Sequence, residues 1–382
     1  MSILRIGLIG CGNIAMTYLR NAALFRGIAI TACADILPEQ AALRAREYGL
    51  RVMTVAELIA VPDIDLVINL TIPAAHADIT RAALAAGKHV FTEKPLGVSA
   101  AEGAALVAEA AGRGLMLGSA PDTFLGAAGR QARRLIDDGA IGRVVTGTAF
   151  MMGRGMEHWH PNPSFYYQTG GGPVLDMGPY YITMLVNLLG PAKRVMGMAT
   201  RGSAERVMTA PGPLQGTRFA VGTPTTLLSL IEFASGAIIA FGASWDVYKH
   251  SQVPIALHGT AGSVHLPDPD TFGGTISLSR QGADWEEIDT AGDPYGQINW
   301  PYAAPNRANY RMLGIADLAA GLRDGRPPRA SGALALHVLE VLEAILRSGE
   351  SGQTVEMTTT VAQPAALTQA EAQSYRADTR EG

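Results

Sequence analysis

The sequence predicts an α/β fold built on a doubly wound parallel sheet, and three observations carry that prediction. Short apolar runs suited to buried strands alternate with segments of helical period across residues 4–118. A glycine-rich turn, Gly10-Cys11-Gly12-Asn13-Ile14-Ala15, joins the first apolar run to the first helical one. Polar residues cluster just past two later runs, at Thr71-Ile72-Pro73 and Thr92-Glu93-Lys94, where a parallel sheet opens its ligand crevice beyond the strand ends.

Residues 4–9 form the first expected strand, and a helical pattern follows through Tyr18, Leu19, Ala22, Ala23 and Phe25. Between them, Gly10 permits a tight turn, Gly12 lets the backbone approach a pyrophosphate on the helix N-terminus, and Ala15 allows close helix–strand packing. Such turns are common, and the strand before and helix after supply the required context. A second strand, 29–34, ends at Asp35, twenty residues beyond Ala15. That is the spacing at which a carboxylate binds the ribose 2′-hydroxyl of NAD. Ile36, Leu37 and Pro38 offer no cation for a 2′-phosphate, so the expected cofactor is NAD rather than NADP.

Helix 38–48 starts with proline in its first turn. Strand 65–70, helix 74–86 and strand 88–91 continue the alternation. Ser99 with Glu102 reads as a capping box opening a helix to residue 113, and 115–118 reads as a further strand. Topology then turns Thr71, Pro73, His76, Glu93 and Lys94 toward the crevice. With Gly10, Gly12, Asn13, Ile14 and Asp35 they make up the expected cofactor site.

Beyond residue 121 the pattern changes. Glu157-His158-Trp159-His160-Pro161-Asn162-Pro163-Ser164-Phe165-Tyr166-Tyr167 is broken by prolines and has no regular period. It reads as a substrate-side loop in which His158, Trp159, His160 and Tyr166 contact a polyol, aromatic faces against C–H faces and imidazoles against hydroxyls. A metal on His158 and His160 would need a further ligand, and no metal is expected. After Gly170-Gly171-Gly172, residues 173–189 read as a helix that sets Asp176 and Tyr180 on one face. Residues 202–223 read as a flap or crossing loop, and 225–233 with 237–245 as a hairpin turning at Ser235-Gly236. Residues 255–266, broken at Gly259 to Gly262, and 275–279 add sheet, while 309–322 and 333–347 have helical period. Asp246 and His250 follow a strand end, either near the site or in an exposed turn. His337 reads as a packed or surface histidine, and the tail after Pro364 as loosely ordered or wrapped on a neighbour.

Gly10 through Ala15, Asp35, Thr71-Ile72-Pro73-Ala74-Ala75-His76, Ala86-Gly87-Lys88-His89-Val90 and Glu93-Lys94-Pro95 together resemble the glucose-fructose oxidoreductase/inositol dehydrogenase/rhizopine-catabolism (Gfo/Idh/MocA) family. The resemblance implies a Rossmann domain over residues 1–121. A C-terminal α/β domain over 122–382, with a large, open, mostly antiparallel sheet, would follow it. It implies oxidation or reduction of a secondary hydroxyl on a sugar, cyclitol or sugar derivative, and a homodimer or homotetramer formed through the C-terminal sheet. Lys94 would hydrogen-bond the reacting hydroxyl, Asp176 would support the base, and the Lys94–Pro95 peptide is often cis. One position departs from the pattern: Tyr180 stands where the family usually has the proton-accepting histidine. A free phenol has a pKa of about 10 and is a poor base at neutral pH. Lys94 and an oxidised nicotinamide would be expected to lower it. Two readings stay open: Tyr180 is the base, or it shapes the pocket while a loop histidine acts.

Composition excludes other classes. A net charge of −4 with both signs dispersed suggests neither a nucleic-acid nor an anionic-membrane surface. Cys11 and Cys33, the two cysteines, read as small core residues. No 18-residue apolar span and no signal peptide is seen, so cytoplasm is the expected location. The expected function is an NAD-dependent sugar or polyol dehydrogenase or reductase. The alternatives are an NAD-dependent glycoside hydrolase working by transient oxidation and elimination, and a non-catalytic NAD- and ligand-binding regulator.

Overall fold

The structure, a computed structural model, describes residues 3–301 and 306–377. Its first half runs β1 (Leu4–Ile9), α1 (Asn13–Ala22), β2 (Ile28–Ala34), α2 (Pro38–Tyr48), β3 (Arg51–Val52), α3 (Val55–Ala60), β4 (Leu66–Asn69), α4 (Pro73–Ala85), β5 (His89–Thr92), α5 (Ala100–Gly112) and β6 (Leu117–Ser119). The six strands lie parallel in the order β3-β2-β1-β4-β5-β6. Helices cover both faces, which is why all four residues of β4 are buried and its sequence is continuously apolar up to Asn69. Ile9, Asn69 and Thr92 stand side by side in register. The glycine turn, Thr71 and Lys94 therefore leave the sheet along one edge.

Three local details differ from the sequence reading. β3 and α3 were not anticipated, because β3 is only two exposed residues and α3 a single capped turn and a half. The capping box at α5 is half formed: Ser99 Oγ accepts the Glu102 amide, but Glu102 reaches the amide of Val98 instead of Ser99.

The second half comprises α6 (Ala127–Asp137), β7 (Val144–Met152), α7 (Pro173–Leu189), β8 (Ala192–Thr200), β9 (Glu205–Val207), β10 (Arg218–Ala220), β11 (Thr226–Phe233), β12 (Ile238–Ser244), β13 (Ile255–Gly259), β14 (Gly262–Leu266), β15 (Thr275–Arg280), β16 (Glu286–Asp289), α8 (Leu313–Asp324), α9 (Gly332–Ser351), β17 (Val355–Glu356) and α10 (Gln369–Ser374). Nine of these strands form one sheet, β16-β15-β14-β13-β7-β12-β11-β8-β17, antiparallel except between β7 and β12. α7 and α9 pack on one face of it. The segment read as a flap contains the β9–β10 hairpin.

The chain returns to the six-stranded parallel sheet at its C-terminal end. The amide of Ser119 donates to Ala330 O (3.0 Å), and α9 lies against α5 and β6. Residues 364–377 are not loose: Arg133 and Arg329 hold the carbonyls of Pro364, Ala365 and Ala366, and Tyr375 is buried. Residues 378–382 of that tail lie outside the described residues.

Candidate active site

The glycine turn has the shape a dinucleotide needs. Gly10 has φ +98°, and a Cβ there would lie 2.5 Å from Leu70 O. Only glycine fits. Gly12 is different, since a Cβ there would meet nothing within 4 Å, so its missing side chain leaves open space ahead of α1. α1 has no side-chain cap and no acidic residue in its first turn, leaving its amides and positive dipole end free for a pyrophosphate. Asn13 is exposed and Ile14 half-buried at this end, and Ala15 packs fully buried. Asp35 accepts the amides of Cys11 (2.6 Å) and Leu37 (2.8 Å), which fixes the carboxylate at the end of β2 with lone pairs to spare for a ribose. Beside it Ile36 is 89% exposed, an apolar surface. Cys11 and Cys33 are buried free thiols.

Other expected cofactor residues have structural work. His76 is buried, with Nδ1 2.7 Å from Pro95 O and Nε2 3.0 Å from Thr71 O, so its ring ties two crevice loops together rather than presenting a nitrogen to the crevice. Thr71 Oγ1 donates to Asn69 Oδ1 (2.7 Å), and Pro73 opens α4 from an exposed position. Glu93 accepts Tyr18 OH on one oxygen (2.8 Å) and the Lys94 amide on the other (3.0 Å), bracing the end of β5 from α1. For His76 and Glu93 the polarity was legible but the direction was not.

Lys94 and Asp176, 82 residues apart in sequence, meet. Lys94 Nζ donates to Asp176 O (2.6 Å) and Oδ1 (3.0 Å). The Lys94–Pro95 peptide is cis. Burial opposes the ammonium's charge, but Asp176, Tyr180 and Glu93 outweigh it and hold the amine above its ordinary pKa. One turn on, the Tyr180 ring lies 5.4 Å from Lys94 Nζ. Its phenol is not lowered as expected. Burial first, then Asp270, push it up to about 12 against the pull of Arg311 and Lys94.

Arg311, Asp270, Tyr18 and Asp122 were not anticipated. Arg311 Nη2 donates to Tyr180 OH (3.1 Å) and to Asp270 Oδ1 (2.9 Å), and Asp270 also receives Arg307 (2.7 Å). Met312, next in the chain, has φ +110°, a conformation that side-chain-bearing residues rarely adopt. Asp122 compensates by accepting the amides of Met312 (3.3 Å) and Gly314 (2.8 Å) at the start of α8. Burial pushes its carboxyl up to about 6. Reading residues 309–322 as one helix hid Arg311, since α8 begins only at Leu313. An arginine abutting the apolar run from Met312 to Ile315 was the available signal.

The substrate-side loop divides. Tyr166 lies close enough to Asp176 and Lys94 for both to act on its phenol, which burial raises first. It stacks on Phe165 at 4.1 Å, and the His160 ring meets Trp159, Phe165 and Tyr166 edge-on. Trp159 is 57% exposed. His158 instead lines a separate cavity of about 440 Å³ with Arg206 and Asp246. Glu157 anchors the loop, bonding Tyr167 OH and Arg206 Nη1, and Asp246 takes the other arm of Arg206. Asp246 is thus a loop anchor, and His250 is exposed. His337 is buried, its Nε2 accepting the Ala192 amide. Among the described residues, no group of three or more His, Cys, Asp or Glu is gathered as a metal site.

A sequence profile described as "Oxidoreductase family, NAD-binding Rossmann fold" matches residues 4–120, and one described as "GFO/IDH/MocA C-terminal domain" matches 130–265. The chain belongs to the Gfo/Idh/MocA family. It is therefore an NAD-binding oxidoreductase. It is 28% identical to the 1,5-anhydro-D-fructose reductase of Ensifer adhaerens over 68% of this chain and 74% of the relative. Levoglucosan dehydrogenase of Pseudarthrobacter phenanthrenivorans is 26% identical over 71% and 74%. A solved levoglucosan dehydrogenase, in complex with NADH and L-sorbose, superposes with a TM-score of 0.80 at 25% identity, covering 94% of this chain and all of that one. Among the described residues no helix is long and apolar enough to cross a membrane.

Proposed function

We propose that this Gfo/Idh/MocA protein moves a hydride between NAD and a secondary hydroxyl of a sugar, cyclitol or sugar derivative. The observation that carries the reading is the Lys94–Asp176 ion pair at the mouth of the nucleotide crevice. The turn at Gly10 and Gly12, the open end of α1 and Asp35 would hold the dinucleotide, which supplies the hydride acceptor or donor when bound. An ammonium has three hydrogens, and Asp176 engages two of the Lys94 set. The third is free for a substrate oxygen, so Lys94 orients that oxygen and faces it with positive charge as it becomes an alkoxide. Asp176 aims the amine. Tyr180 exchanges the proton with the same oxygen, and the protonated phenol favoured by burial suits it to donate in carbonyl reduction. Tyr166 and the exposed Trp159 offer ring faces to the C–H side of the substrate, while His160 flanks them. His158, turned to another cavity, is left out of this set.

The test is absorbance at the NADH band as NAD- or NADH-loaded protein meets a panel of sugars, cyclitols, their keto derivatives and simple glycosides. Reduction or oxidation of the nicotinamide by a member of the panel supports the reading. Release of sugar from a glycoside with no net NADH replaces it with cycling hydrolysis. Binding without either makes the protein a sensor.

A second copy of the chain is the proposed cover for the outer face of the nine-stranded sheet. There Met198 pairs across strands with Leu228, and Met196 with Leu230, all more than half exposed. A contiguous apolar sheet face of this kind marks a self-association surface. Met198→Glu is expected to convert a dimer or tetramer to a smaller species in light scattering. A wild-type protein already monomeric at micromolar concentration would remove the proposal.

A further inference from the structure

We propose that Arg311 is the positioning residue for Tyr180, orienting the phenol so that its proton points into the cleft and holding the phenolate left when that proton is donated. The inference rests on the reading of Tyr180 given above. A guanidinium only donates hydrogen bonds, so in the Arg311 Nη2 to Tyr180 OH contact the phenol oxygen accepts and its own hydrogen must lie elsewhere. Both residues are 8% exposed, so this is no incidental surface contact. A buried guanidinium is costly unless paired, and Asp270 supplies the pair. The direction of Arg311 depends on the strained backbone of Met312, which Asp122 clamps through two amides. Strain maintained by dedicated hydrogen bonds is a mark of a functional position.

The groups around the phenol come from several elements. Asp176 lies on its own helix, and Glu93 and Lys94 follow β5. Asp270 comes from between β14 and β15, while Arg311 precedes α8. Tyr18 on α1 and Asp122 after β6 act on the same cluster through Glu93 and Arg311. Arg311 is the cation bonded to the phenol oxygen itself. In reduction, a bound NADH would supply the hydride for the carbonyl carbon, and the carbonyl oxygen, gaining the π pair, needs a proton. That oxygen takes the Tyr180 proton, and the resulting phenolate stays bonded to Arg311 until solvent returns a proton. Oxidation runs the same steps backward.

The experiment uses full-length protein carrying fluorotyrosine, with the Tyr180 signal identified by its loss in Tyr180→Phe. Fluorine NMR titration without cofactor reads the phenol directly, and the fluorinated ring titrates low enough for the fold to survive. Arg311→Met is expected to raise the Tyr180 transition by about one pH unit or more and to lower kcat for reduction at least about tenfold, with KM nearly unchanged. Arg311→Lys should recover part of both. Asp270→Asn should move the transition the opposite way, which keeps the inference testable if Arg311→Met does not fold. An unmoved titration in Arg311→Met and Asp270→Asn, with Tyr180→Phe inactive, overturns the role of Arg311 alone. Full turnover in Tyr180→Phe overturns the reading on which it rests.

Discussion

In the nucleotide-binding half, the groups that meet the crevice sit within a few residues of a strand end. In the substrate-facing half, Tyr180 is surrounded by charges drawn from three separate segments, Glu93 with Lys94, Asp270, and Arg311, the last lying 131 positions away in sequence. The first arrangement is set by parallel-sheet topology, which delivers strand ends to one edge whatever the side chains are. The second is set by packing, with charges brought together because each would be costly to bury alone. Lys94 belongs to the first region and Asp176 to the second. Their ion pair is where the two logics meet.

The sharpest way to break this comparison is Lys94→Ala. Turnover is expected to fall at least about a hundredfold while NAD affinity by calorimetry stays within experimental scatter. A matching loss of NAD affinity would assign Lys94 to the nucleotide half alone, and undiminished turnover would remove it from the mechanism.

The next effect is one of pH. Because burial pushes the Tyr180 phenol up to about 12, the phenolate that accepts a proton grows about tenfold per pH unit below that value. Alcohol oxidation should therefore climb with unit slope on logarithmic axes from about pH 7 to 9, while carbonyl reduction stays level. Tyr180→His should flatten the oxidation profile above about pH 6.5. A wild-type oxidation rate already level at pH 7 would mean that another group accepts the proton.

Asp35→Ala tests the nucleotide half by itself. Losing a carboxylate that meets ribose hydroxyls should weaken NAD binding roughly tenfold, the scale of a hydrogen bond to a charged group. An unaltered dissociation constant would take Asp35 out of the site. The smallest expected effect is at the loop: Trp159→Ala should raise KM by a few-fold, about 1 kcal/mol of ring contact, without lowering kcat. A fall in kcat with KM unmoved would place Trp159 nearer the chemistry than its exposure suggests.

By itself the sequence determined the parallel sheet, the glycine turn, Asp35 and Lys94 just past their strands, and one helix face that carries Asp176 and Tyr180. Those follow from period, chain reversal and strand-end position, all local properties. It did not determine where a polar side chain points. His76 and Glu93 sit where expected along the chain, yet bond to backbone and Tyr18 because neighbouring carbonyls and a buried phenol lie within reach. Asp246 turns to Arg206 for the same reason, and His158 lines the cavity beside them. The Tyr180 pKa went the other way from expectation because burial, a sum over everything packed around the ring, outweighs the two cations beside it. Arg311 was hidden by one non-helical residue, Met312, whose backbone is held by a carboxylate from another strand's end. Only the folded chain decides such matters, since desolvation and long-range pairing have no signature in neighbouring residues.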